Sequence, residues 1–149
     1  MNITTIKDET LIILDNIPND IVAVSEVWSA IGDNKIVVDM ISQTLPYKDK
    51  IAVIFTTNND EVPKVVATIG ELKSKHPNLL VEINADNTKF VLQSSKFMTT
   101  SGVAAKIYKA LKNSNIYPKL ITTSDDKIEL LFDANEQEDV ENAFANIEI

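Results

Sequence analysis

The chain has 149 residues, with 14 Lys and Arg against 22 Asp and Glu, a net charge of −8, no cysteine and a single histidine, His76. These numbers exclude disulfides, thiolate metal sites and a histidine metal cluster. They also argue against nucleic acid and anionic membrane as partners. The apolar share of 44% is ordinary for a chain that buries a core. The first twenty residues lack a basic stretch followed by an apolar run, and no apolar run reaches the ~20 residues of a bilayer span. A cytoplasmic setting is therefore expected.

In chain order, residues 2–6 (Asn-Ile-Thr-Thr-Ile) are strand-like, and residues 11–14 form a short apolar strand run. Val24, Val27, Trp28 and Ile31 follow at helical spacing. Residues 36–44 are rich in β-branched side chains and read as a strand, a turn with Pro46 follows, and residues 50–57 read as a further strand. Val62, Val65, Val66, Ile69 and Leu72 mark a second helix, ended at His76-Pro77, before a strand over 79–83. The order is β-α-β-β-α-β, the ferredoxin-like plan.

The plan then repeats. Residues 25–36 lie over 105–116 at an offset of 80, so that Val27 matches Ile107, Trp28 matches Tyr108, Ala30 matches Ala110 and Ile31 matches Leu111. The second copy opens at Phe90, has a helix carrying Ala104, Ile107, Tyr108 and Leu111, and has a last helix carrying Val140, Ala143, Phe144 and Ile147. Little remains after that helix for a sixth strand, and residues 2–6 are the candidate to complete the second sheet. The expected fold is α+β: two ferredoxin-like units in tandem, over 7–88 and 89–149, with antiparallel sheets and helices on one face. Trp28 and Tyr108 are expected in the core. His76 is expected at the surface. The acidic run 133–139 reads as the negative first turn of the last helix.

No catalytic residue is assigned. A Ser-His-Asp or Cys-His set cannot form around one histidine and no cysteine. The glycines Gly32, Gly70 and Gly102 make no phosphate loop. No metal ligand set and no cofactor are expected. An enzymatic reading would need a pocket lined by Asp125 and Asp133.

Residues 101–116 (Ser-Gly-Val-Ala-Ala-Lys-Ile-Tyr-Lys-Ala-Leu-Lys-Asn-Ser-Asn-Ile) and 120–125 (Leu-Ile-Thr-Thr-Ser-Asp) resemble the second ACT domain of bacterial aspartokinases. That family has a Pro-Gly-Val-Ala-Ala-Lys helix start and an Ile-Ser-Thr-Ser-Glu strand. Residues 38–43 (Val-Asp-Met-Ile-Ser-Gln) are similar to the Ile-Asp-Met-Val-x-Gln of the family's first ACT domain. The resemblance covers nearly the whole chain and nothing in it resembles the catalytic domain. It implies a regulatory, non-enzymatic chain that binds an amino acid such as lysine or threonine where ACT units meet, in a homodimer.

The resemblance places two sites, each pairing a loop of one unit with a strand of the other, usually across a dimer. The first would use residues 18–22 with Asn19 and Asp20, together with Gln43, against Tyr117-Pro118. There, Val22 replaces the family's glycine, and Pro118 removes a strand N–H. The second would use Met98, Thr99, Ser101 and Gly102 against Val37 and Val38, with Ser124 and Asp125 nearby. Here Gly102 is kept and Ser101 is the expected helix cap. An effector carboxylate suits a helix N-terminus, and Asp125 suits its ammonium. The alternative is a ligand-free interaction subunit that docks on a catalytic aspartokinase chain.

Overall fold

A computed structural model describes all residues, 1–149. Its elements are β1 (Asn2–Pro18), α1 (Ile21–Asp33), β2 (Asp39–Gln43), β3 (Lys50–Asn58), α2 (Val62–Lys75), β4 (Leu80–Gln93), α3 (Val103–Lys112), β5 (Leu120–Thr123), β6 (Lys127–Asp133) and α4 (Gln137–Phe144). The chain divides into two compact units, residues 8–85 and residues 1–7 with 86–149. The fold class is α+β, as the periodicity implies.

In the unit of residues 8–85 the strand order is β2-β3-β1-β4. β1 and β3 are antiparallel, with Ile12 opposite Phe55 and Leu14 opposite Val53. Alternation puts Ile12, Leu14, Val53 and Phe55 on one face, where Val27 and Ile31 of α1 and Val65 and Leu72 of α2 pack on them. Trp28 sits at the margin of this core, 5.8 Å from the Phe55 ring. The register of β1 slips between Leu14 and Ile17. Asn16 takes up the slip with φ of 62°, a left-handed conformation that Asn tolerates, and donates its amide to the Asn78 carbonyl at 2.8 Å.

The other unit repeats this with β1-β4-β6-β5. Phe90 of β4 opposes Leu130 of β6, and Ile121 of β5 opposes Leu130 from the other side. Ile107 and Leu111 of α3 and Val140 and Phe144 of α4 close the core. Phe90, Phe132 and Phe144 meet edge to face at 5.7 to 6.5 Å between centroids, the geometry that brings ring edges onto ring faces.

Several expectations need correction. Residues 2–6 and 11–14 are parts of one strand, β1, and 79–83 continues through Phe90 as β4. β2 is shorter than expected and starts at Asp39, although Ile36 is buried in the lead-in. Tyr108 is not a core residue: it is 44% exposed, on the flank of a stripe made by Val103, Ile107 and Leu111. His76 is half-buried and joins the two helices of its unit, with Nε2 2.9 Å from Glu26 Oε2. No helix is long and apolar enough to cross a membrane.

Candidate functional site

The two loops assigned from the sequence differ at the helix that follows each. Asp20 N-caps α1, its carboxylate accepting from the Val22 N–H at 3.0 Å. The Asp20 N–H in turn donates to the Pro18 carbonyl at 2.7 Å, and the Asn19 N–H donates to the Asp49 carbonyl at 3.1 Å. Asn19 is thereby tied to the β2–β3 hairpin, a two-residue turn in which Lys48 and Asp49 both have positive φ. Because α1 starts before Val22, that residue is helical and needs no glycine. Its side chain and that of Ile21 project into solvent, 59% and 80% exposed. Gln43 lies exposed at the end of β2, opposite Val53.

α3 starts differently. Gly102 holds the N-cap position in the left-handed region, φ 79°, and no side chain caps the helix. Ser101 is therefore not the cap, which corrects the expectation. The chain reverses at Gly102 in a conformation that glycine takes without the backbone strain a Cβ brings. The first-turn N–H groups of α3 are left without a side-chain acceptor, as a helix start requires if it is to meet an anion.

The preceding loop is a short 3-10 turn over Ser95–Met98, opened by Ser94, whose hydroxyl accepts from the Lys96 N–H at 3.3 Å. Thr99 and Thr100 both donate their N–H groups to the Lys96 carbonyl. The Ser94 N–H donates to the Asp126 carbonyl at 2.9 Å, and the Gln93 amide donates to the Asp126 carboxylate at 2.7 Å. These bonds bring the turn 124–127, closed by the Ser124 N–H on the Lys127 carbonyl, to the same end of the sheet as the α3 loop. Met98, Thr99, Ser101, Gly102, Ser124 and Asp125 are thus gathered at one end of one unit, all exposed.

The strand partners assigned to these loops each stand just before an edge strand. Val37 and Val38 precede β2; Val37 is 74% exposed, and its carbonyl accepts from the Thr57 hydroxyl at 2.6 Å. Tyr117 and Pro118 precede β5, Tyr117 exposed at 77% and Pro118 buried. An Asp125–Asp133 pocket does not form: the residues flank opposite ends of β6, about 20 Å apart at strand rise. Asp133 instead opens the last helical segment in a capping box with Glu136 and holds Lys119 at 3.2 Å. No group of three or more acidic, histidine or cysteine side chains is placed to hold a metal.

No protein-family profile matches the chain. Among curated proteins it is similar to the aspartokinase of Bacillus sp. (strain MGA3), 24% identical over 123 residues, 82% of this chain. Aspartokinase 2 of Bacillus subtilis (strain 168) is 24% identical over 127 residues, 85% of this chain. The chain spans about 30% of the length of these relatives. The solved regulatory subunit of aspartate kinase from Thermus thermophilus superposes with a TM-score of 0.87 at 21% identity, over 99% of this chain and 97% of that one. The chain has the fold of an aspartate kinase regulatory subunit. The Thermus flavus regulatory subunit agrees, with a TM-score of 0.88 at 21% identity and the same coverage.

Sequence reasoning missed the start of α1. Asn19-Asp20 directly before an apolar-periodic run is the pattern of a helix cap and would have placed it.

Proposed function

We propose that the chain is the regulatory region of an aspartokinase, made of two ACT domains over 7–88 and 89–149 with strand 2–6, and that it binds lysine or threonine in a cytoplasmic homodimer. The compact units at 8–85 and at 1–7 with 86–149 support this division. The observation that carries the reading is the open N-terminus of α3 behind Gly102, at the same end of its unit as the turn that holds Asp125. The effector carboxylate meets the first N–H groups of α3, and Asp125 holds its ammonium. Met98, Thr99, Ser101 and Ser124 surround it, and Val37 and Val38 of a second copy complete the site. Edge strands β2 and β5 offer the backbone for that pairing.

The site at Asn19, Asp20 and Gln43 is closed in this reading. Asp20 already occupies the Val22 N–H, and Pro118 has no N–H to offer.

Thermal melts with each common amino acid test the proposal. An effector at ~100 times its dissociation constant adds about 2.7 kcal/mol, roughly 5–10 °C for a chain of this size. Asp125→Asn should abolish that shift while leaving the unliganded melt unchanged.

The second reading, a ligand-free subunit docked on a catalytic chain, is favoured by the exposed Ile21 and Val22. The absence of a shift with any amino acid would select it.

A further inference from the structure

The helix layers of the two units carry equivalent grooves of opposite charge. Between α1 and α2 lies a groove of about 490 Å³ that presents Glu26, Asp33 and Glu71, with Lys75 as its one cation. Between α3 and α4 lies a groove of about 730 Å³ that presents Lys106 and Lys109, with Glu148 as its one acid. The 80-residue offset lays Glu26 on Lys106, so the inversion falls at matching positions of α1 and α3. α1 carries two acids and no base, whereas α3 carries three lysines and no acid. Exposed apolar side chains, Ile21 and Val22, line the first groove at the start of α1.

We propose that the groove between α1 and α2 of one copy receives the α3 face of a second copy, with Lys106 and Lys109 against Asp33 and Glu71. Two acidic grooves repel one another, as do two basic ones, so only the unlike pairing gains. Both halves of the complement are on this chain, which makes a second copy the fitting partner. Charges facing each other at such an interface lie within the ~8 Å screening length of physiological salt, and complementary fields of this kind steer association and fix register. The contact uses helix faces, and none of the residues assigned to the effector site behind Gly102 lines either groove. It stands apart from the effector reading and adds to any pairing through β2 and β5.

Sedimentation velocity over a concentration series tests it. The wild-type chain should show a larger species that grows with concentration at low salt and recedes at high salt. Asp33→Lys/Glu71→Lys and Lys106→Glu/Lys109→Glu should each lose that species, and mixing the two variants should restore it. The milder Asp33→Asn/Glu71→Gln and Lys106→Gln/Lys109→Gln should weaken it without risk to the fold. Both sets should keep whatever melting shift an amino acid gives the wild type, which separates this contact from the effector site. A variant that associates like the wild type, a mixture that stays dissociated, or a wild type without a salt-sensitive larger species overturns the proposal.

Discussion

The Asp20 carboxylate accepts the Val22 N–H at 3.0 Å, so α1 is closed by a residue of its own loop. Replacing an N-cap acid removes one hydrogen bond from an otherwise orphaned donor. Asp20→Ala should therefore cost about 0.5–2 kcal/mol, read as a lower urea midpoint. Because the first site is closed in our reading, the variant should leave any amino-acid-dependent melting shift intact.

Gly102 makes the opposite test. Its φ of 79° lies where a Cβ is strained, yet nothing stands within 4 Å of the place a Cβ would take. The cost of Gly102→Ala is therefore backbone strain alone, about 1–2 kcal/mol. Gly102→Asn should cost less, because Asn visits the left-handed region more readily. Comparing the two by chemical denaturation separates strain from crowding.

Phe132 is fully buried and packs edge to face on Phe90 and Phe144. Phe132→Ala should destabilise its unit by about 3–5 kcal/mol, from lost burial and the cavity left behind. Hydrogen exchange should show the amides of β4, β6 and α4 losing protection first.

Asp133 predicts a pH dependence. The Asn135 N–H donated to its carboxylate, and then the Lys119 ammonium, hold its carboxyl below the ordinary value of 3.8. A depressed folded value means that the carboxylate stabilises the fold above about pH 4 and that this contribution fades as pH falls through the lowered value. Asp133→Asn should therefore be less stable than wild type at neutral pH, and the gap should narrow on acidification below pH 3.8. Urea midpoints measured from neutral pH down to about pH 2 check the sign.

His76 joins α2 to α1 through Glu26, a pair that is only partly shielded, with side-chain exposures of 17% and 39%. His76→Ala should cost no more than about 0.5–1 kcal/mol, measured by thermal unfolding at neutral pH. A larger loss would show that packing, and not the polar contact, sets the role of His76.

The helix stripes were legible because Val27, Ile31, Ile107 and Leu111 recur at a spacing that only a helix puts on one face. The full lengths of β1 and β4 were not. Both run through polar stretches with Asp8 and Asp86 at positive φ, where apolar alternation fails. Glu9 and Lys89 are nevertheless buried, 7% and 4% exposed, and periodicity has no means of finding a buried charge. Tyr108 lies at the flank of its stripe, where a turn of one residue's arc decides burial. For the candidate site, the composition of the 98–102 loop was legible, but which residue begins α3 was not. Ser101 and Gly102 are both good cap residues, and only the backbone conformation separates them.

The unit formed by residues 86–149 includes the first seven residues of the chain. On the ribosome, residues 1–7 are made before the rest of this segment and must wait for some eighty more residues before the strand they lie beside exists. At the usual ~5–20 residues per second of synthesis, that is several seconds of exposure for Ile3 and Ile6. The second unit is thus the later one to close, and it closes only when both ends of this segment of the chain have been made.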